Sequence, residues 1–378
     1  MLLNSIPSKV GKQPPDLVLY RKPAWVRLSD NRSYGKVLLN IARGTTRSIP
    51  SPTWTLIMSL VAVTDHTFPV LDIEQEITRS AGLSLRDGNS KDIEVLKGLV
   101  ADADAVIAQF APINAEVIGA MKNARAIVRY GIGVDNVDLE AARLRGIPVC
   151  NIPDYCIDEV ADHTLAFILA TTRQVVSNTL LIRDGKWGLA TPLDQMRTLR
   201  DQTVGIVGFG RIGREVAARL APFKCRRQVF DAFVSEDSIR SAGCEPASLE
   251  SLLSQSDIVT LHCPSTPQTK KLLNADTLAS MKQGSVVINL ARGDLIDTPS
   301  LIAALKSGHV ASAAIDVCDI EPIPADSPLR SLPNVIAASH IASASPKAVR
   351  TLRETAARIA VMAVRGEPLP NVVNGVAR

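Results

Sequence analysis

From residue 58 onward, short apolar runs alternate with stretches whose apolar residues recur every three or four positions. The runs predict buried strands and the periodic stretches predict helices. Leu60–Val63 reads as a strand and Asp72–Ala81 as a helix. Ala105–Gln109 is a second strand, Asn114–Lys122 a helix, Ala126–Arg129 a strand, Leu139–Arg145 a helix and Val149–Ile152 a short closing strand. A long helix over about Glu159–Arg183 bridges to a second unit. There the runs Thr203–Val207, Arg227–Phe230, Ile258–Leu261, Ser285–Asn289, Ala311–Asp316 and Val335–Ala338 predict six strands with helices between them. A last helix, Lys347–Val364, is placed to fold back onto the first unit. Alternation of this kind with short loops implies parallel sheets covered by helices on both faces.

Residues 1–57 break the pattern. They contain six prolines and show no sustained period. They also hold nine Lys/Arg against two acids, a surplus of +7, which leaves the remaining 321 residues at −3. The basicity of the chain therefore belongs to one segment and says nothing of nucleic-acid binding by the body. The segment lacks the apolar core of a secretory signal, and its prolines oppose the amphipathic helix of a transit peptide. It is expected to be a poorly structured extension, with translation natively starting near Met58. No apolar run reaches the length of a membrane span. Six scattered cysteines without C-x-x-C spacing predict buried thiols, no metal site and a reducing, cytoplasmic compartment.

The chemistry begins at Val204–Gly213. Gly208, Gly210 and Gly213 form G-x-G-x-x-G directly after an apolar run and directly before an amphipathic stretch. In that setting the first glycine permits a tight turn, the second lets backbone approach a pyrophosphate, and the third lets helix pack on strand. The pyrophosphate then meets the free N–H groups of a helix N-terminus. Asp231 lies 18 residues past Gly213 at the end of the next run, where a carboxylate accepts the ribose hydroxyls of NAD.

Three charged residues follow later strands of the same unit: Arg292 after Ser285–Asn289, Glu321 after Ala311–Asp316, and His340 after Val335–Ala338. Ligands of open α/β sheets bind beyond the carboxyl ends of the strands, so the three are expected to share one crevice. Arg292 suits a bidentate clamp on a carboxylate. His340 suits proton exchange with a carbonyl or hydroxyl oxygen. Glu321, paired to the imidazole, would favour the imidazolium. His66, His163, His262 and His309 are read as structural.

These motifs, with His262-Cys263-Pro264 and Thr269, Met281–Gly293 and Asp316–Pro322, resemble the D-isomer-specific 2-hydroxyacid dehydrogenase family over residues 58–375. The resemblance implies Arg292 as the substrate-orienting arginine, Glu321 as partner carboxylate and His340 as acid/base. It implies NAD contacts at Thr164, Gly208, Gly210, Arg211, Ile212, Gly213, Asp231, Cys263, Pro264, Thr269, Leu290, Ala291, Arg292, Asp316 and His340. Among these, Asp316 would hold the nicotinamide amide. The backbone at Gly131, Ile132 and Gly133 would hold the substrate carboxylate. Residues 151–162 are more similar to the branch of the C-terminal-binding-protein corepressors and their bacterial dehydrogenase relatives. Two positions depart: Ser339 stands where many members have Pro before the histidine, and Ser343 where the corepressors tend to have Trp.

The expected fold is α/β, two Rossmann-like doubly wound parallel-sheet domains, with an NAD domain (156–341) inserted into a discontinuous substrate domain (58–155 and 342–378). The expected activity is reversible hydride transfer between NAD(H) and a small 2-hydroxy/2-keto acid of the glyoxylate or hydroxypyruvate kind. The loop Gln109-Phe110-Ala111-Pro112 carries no base for a substrate phosphate. D-3-phosphoglycerate dehydrogenase is the runner-up, and an NAD(H)-sensing corepressor-like binding protein is the reading from another class. The resemblance further implies a homodimer, and neither nucleic acid nor membrane is expected as a partner.

Overall fold

The structure is a computed structural model and describes residues 58–193 and 196–376. The expected extension over 1–57 lies outside the described residues. The chain first builds β1 (Leu60–Val63), α1 (Asp72–Ser80), β2 (Ser84–Asp87), α2 (Ile93–Val100), β3 (Ala105–Ala108), α3 (Ala115–Ala120), β4 (Ile127–Arg129), α4 (Leu139–Leu144) and β5 (Val149–Cys150). The five strands pair in parallel in the order β2-β1-β3-β4-β5. Side chains alternate across this sheet, so Val61, Val63 and Ile107 face one layer while Ala62, Val106 and Ala108 face the other. Asp92, Asn114 and Asp138 cap α2, α3 and α4 by accepting from the backbone N–H of Val95, Val117 and Ala141.

The second half runs α5 (Ile157–Thr172), α6 (Val175–Arg183), β6 (Thr203–Val207), α7 (Arg211–Leu220), β7 (Arg226–Phe230), α8 (Glu236–Ser241), β8 (Glu245–Pro246), α9 (Leu249–Gln255), β9 (Ile258–Leu261), α10 (Ala275–Ser280), β10 (Ser285–Asn289), α11 (Thr298–Ser307), β11 (Val310–Ile315), β12 (Val335–Ala337) and α12 (Pro346–Arg365). Its seven parallel strands have the order β12-β11-β10-β9-β6-β7-β8. From β6 the chain builds outward to β7 and β8, then returns to β9 on the other side. That reversal is the place where a doubly wound sheet opens a crevice. Helices α5, α7 and α8 cover one face, and α9, α10 and α11 the other.

Helix α12 returns to the first sheet. Ser345 caps it by accepting from the Ala348 N–H, Pro346 opens it, and Gly366 at φ 73° ends it. Its stripe Leu352, Ala356, Ile359, Ala360 and Ala363 packs against β3 and β4 beside α1.

Three features differ from the sequence expectations. Strand β2 and helix α2 were not expected. Strand β2 is an edge strand that is only half-buried, so its apolar signal is thin. A seventh strand, β8, is a two-residue edge ending in Pro246, which the six-run reading passes over. The long helix over Glu159–Arg183 is two helices bent by 59°. Gln174 takes φ 54°, and its side-chain amide donates to the Thr171 carbonyl at 2.8 Å beside its own backbone N–H at 3.4 Å. The hydroxyls of Thr171 and Thr172 bond back to carbonyls one turn earlier. β-Branched residues crowd the junction on both sides, which weakens continuous helix there. No single helix among the described residues is long and apolar enough to cross a membrane; the bent pair α5–α6 is, by length and composition alone.

Candidate active site

The carboxyl ends of both sets of strands face one cavity of about 630 Å³. From β6 the chain turns at Gly208, which takes φ 97° and lies so near the next loop that a Cβ would come 2.6 Å from the Cys263 nitrogen. Gly213 in α7 is as tightly placed, with a Cβ position 2.1 Å from the Gly208 carbonyl oxygen. Gly210, by contrast, has nothing within 4 Å of its Cβ position. It opens onto the cavity at the N-terminus of α7, beside Arg211 and Ile212. Open backbone at a helix N-terminus suits a pyrophosphate, so these residues fit a dinucleotide. Cys263 and Pro264 after β9 and Leu290 and Ala291 after β10 line the same space. Thr269 stands behind, donating its hydroxyl to the Pro264 carbonyl at 2.7 Å.

Two cofactor expectations look different in the structure. Thr164 is fully buried in α5, donates to the Val160 carbonyl at 2.7 Å, and is not among the residues lining the cavity. Asp231 already accepts three backbone N–H groups: Phe209 at 2.6 Å, Phe233 at 2.8 Å and Val234 at 3.1 Å. An ionised carboxylate has about four acceptor sites. Asp231 therefore ties the glycine turn to the loop after β7 and keeps one acceptor site, on Oδ2, for a ribose hydroxyl.

Of the three residues expected to be catalytic, Arg292 and His340 line the cavity and Glu321 reaches it through His340. His340 follows β12 with its Nδ1 2.8 Å from Glu321 Oε2, which turns Nε2 away from that bond. Burial pulls the Glu321 carboxyl upward, but its bonds to His340 and to the Cys318 N–H outweigh this and hold it below the ordinary glutamate range. Arg292 follows β10, lines the cavity with His340, and pairs through Nε with Asp135 Oδ1 at 2.9 Å. Asp316, nearly inaccessible, also lines the cavity and accepts from the Ile341 and Ala342 N–H groups, each at 2.8 Å.

The first sheet supplies the opposite wall. Ile132 and Gly133 line the cavity after β4, whereas the Gly131 N–H is spent on the Arg129 carbonyl at 2.8 Å. The loop is held from behind: Asn151 Nδ2 donates to the Ile132 carbonyl at 2.7 Å, and the Ile152 N–H donates to that of Gly131 at 2.9 Å. Phe110, fixed by the Asp65 carboxylate on its N–H at 2.6 Å, sets its ring edge-on to His340 with centroids 5.7 Å apart.

Four residues here escaped the reading of the sequence as site residues. Arg129, the last residue of β4, lines the cavity with its Nε unpartnered. Burial and then the charge of Arg292 push its pKa down to about 10. Lys91 lies 5.5 Å from the centre of the Phe110 ring, and the Arg129 guanidinium 5.7 Å. His262 is read from sequence as structural, and its Nε2 does bond Thr260 Oγ1 at 2.9 Å, yet it lines the cavity. Burial pulls it down to about 4, so it is neutral near pH 7. Tyr155 also lines the cavity, with burial pushing its phenol to about 12.

Residues 165–342 match the family model described as the NAD binding domain of D-isomer specific 2-hydroxyacid dehydrogenase. The chain is 39% identical over 278 residues to a glyoxylate reductase of Korarchaeum cryptofilum, covering 73% of this chain and 84% of that protein. It is 34% identical over 308 residues to a D-3-phosphoglycerate dehydrogenase of Archaeoglobus fulgidus, covering 81% of this chain but 58% of that one. Among solved structures, D-lactate dehydrogenase from Aquifex aeolicus, complexed with NAD and lactic acid, superposes with a TM-score of 0.74 at 26% identity. That match covers 82% of this chain and 96% of the other.

Proposed function

Since the chain belongs to the D-isomer-specific 2-hydroxyacid dehydrogenase family, we propose that it reduces a small unphosphorylated 2-keto acid of the glyoxylate or hydroxypyruvate kind. The reverse reaction oxidises the corresponding D-2-hydroxy acid. Bound NADH supplies the hydride for the carbonyl carbon. His340, protonated and held at Nδ1 by Glu321, gives its Nε2 proton to the carbonyl oxygen. Arg292 grips the carboxylate and polarises the carbonyl, with the backbone of Ile132 and Gly133 beneath it. The division that best accounts for the two sheets is a substrate domain of 58–155 and 342–378 around an NAD domain of 156–341. Helix α6 contains no buried residue, and Leu180, Ile182, Trp187 and Leu189 are exposed on and just after it. That apolar surface supports a homodimer. Six free cysteines, four of them buried, support a reducing, cytoplasmic setting.

The observation that carries the substrate reading is the Phe110 ring edge-on to His340, an apolar group beside the proposed proton donor. A second reading, D-3-phosphoglycerate dehydrogenase, is favoured by the two cations on that ring, Lys91 and Arg129. The loop 109–112 supplies no base, but neighbouring elements do. NADH oxidation is to be followed with glyoxylate, hydroxypyruvate, pyruvate and phosphohydroxypyruvate, each varied separately. Higher kcat/KM for glyoxylate or hydroxypyruvate is expected. A preference for phosphohydroxypyruvate of tenfold or more, about 1.4 kcal/mol of transition-state binding, replaces this reading with the second. Tight NADH binding with no keto acid reduced would leave a cofactor-sensing binding protein.

A further inference from the structure

Asp135 lies on the loop after β4, in the first sheet, whereas Arg292 follows β10 in the second. The bond from Arg292 Nε to Asp135 Oδ1 therefore crosses the cleft, at 2.9 Å. Arg292 Nη1 donates to the Ala291 carbonyl at 2.7 Å. Together these two bonds fix the plane of the guanidinium. Of its five N–H donors they leave both on Nη2 and one on Nη1. Nη2 is the nitrogen that occupies the space over Gly133: a Cβ there would come 1.6 Å from it and 2.7 Å from Asp135 Oδ1. A side chain at 133 would therefore push the guanidinium out of this position.

Resting on the reading of Arg292 as the substrate clamp, we infer that Asp135 is a positioning residue for the reaction. It turns the free edge of the Arg292 guanidinium toward the carboxylate and carbonyl of the bound keto acid. Its worth is orientation rather than folding stability. Asp135 is half-exposed, and pairs of that kind are screened by solvent and contribute little to the folded state. Nor does it help attraction, since a carboxylate on the clamp opposes an incoming carboxylate. Arg129 offsets that opposition. It is nearly buried, lacks a hydrogen-bond partner at Nε, and lines the same cavity. Direction and charge are divided between two arginines: Arg292, steered by Asp135, supplies geometry, and Arg129 supplies field.

The test is steady-state kinetics on the full chain, using glyoxylate or hydroxypyruvate, whichever is turned over faster. Asp135→Ala is expected to lower kcat/KM about 10- to 100-fold, the range that loss of orientation produces. NADH affinity, read by fluorescence titration, should stay unchanged. Asp135→Asn keeps an oxygen for Nε and should recover most of the loss. With Arg292→Lys there is no fork left to steer, so adding Asp135→Ala should cost nothing further. Three results would overturn the role of Asp135: an undiminished kcat/KM in Asp135→Ala, equal losses in Asp135→Asn and Asp135→Ala, or additive losses in the double variant. A wild-type-like Arg292→Lys would remove the reading of Arg292, and the role of Asp135 with it.

Discussion

His340 is a non-glycine residue at φ 58°, a backbone conformation that side chains with a Cβ rarely adopt. Asp316 holds it there. The His340 N–H ends on the Asp316 carbonyl at 2.8 Å, and the next two N–H groups end on its carboxylate. With the ring so placed, His340→Gln should lower kcat about 10²–10⁴-fold while NADH titrates as in the wild type, and near-normal turnover would exclude His340 as the proton donor. Glu321 sets the pH behaviour. Its carboxyl is held below the ordinary range, so the stability its pairing contributes is present above that range and is lost only as pH falls through the depressed value. Glu321→Gln cannot titrate there, so that part of the acid-side loss of stability should disappear from denaturation curves taken at falling pH. An acid-side profile identical to the wild type would separate the two residues. The trio was legible because each member follows a strongly apolar run. Asp135 was not, because its partner lies 157 residues away.

At the scale of elements, the turn from β6 into α7 is the joint that the proposed cofactor site is built on. A methyl at Gly213 meets the Gly208 carbonyl, which is backbone and cannot swing aside. Gly213→Ala should therefore push α7 off the strand, cost about 1–3 kcal/mol of stability as overpacking does, and weaken NADH binding. Thermal denaturation and an NADH titration check this, and a variant normal in both would show that the helix has room to spare. The strand-by-strand reading of this half was accurate where strands are buried on both faces, as in β9 and β10. It thinned at sheet edges, at β8 here and at β2 in the first half, which carry little apolar signal. The break between α5 and α6 depends on one left-handed residue, Gln174, whose side chain looks helical in sequence.

The whole molecule is tied end to start by a buried ion pair. Arg353 in α12 donates through Nε and Nη2 to Glu74 in α1, with the shortest contact 2.6 Å, and the Tyr130 hydroxyl donates to the same carboxylate at 2.8 Å. Glu74 is fully buried and Arg353 nearly so. Removing one partner of a buried pair leaves the other charge unpaid in a poor solvent, typically about 3–5 kcal/mol. Glu74→Gln should fall near the lower end of that range, since Asp72 still reaches Arg353 at 2.8 Å. Denaturant unfolding measures it, and a loss within error would mean that the network is not what anchors α12. That α12 returns to the first unit was legible from its apolar stripe. Its ionic anchor was not, since the partners are 279 residues apart.

That return path has a mechanical consequence. The chain passes between the two sheets twice, once through 151–157 and once through 338–345. Tyr155, Cys156, Ala342 and Ser343, from both passages, line the cavity. Ser345 Oγ, at the start of α12, donates to Glu159 Oε1 in the first turn of α5 at 2.6 Å, stitching the two passages side by side. Two flexible tethers set far apart would let the halves slide or twist in several ways. Two tethers bound together act as one joint. Because the stitched crossing and the wall of the binding cavity share residues, a substitution chosen to reshape the pocket at Ser343 also alters the joint between the two sheets.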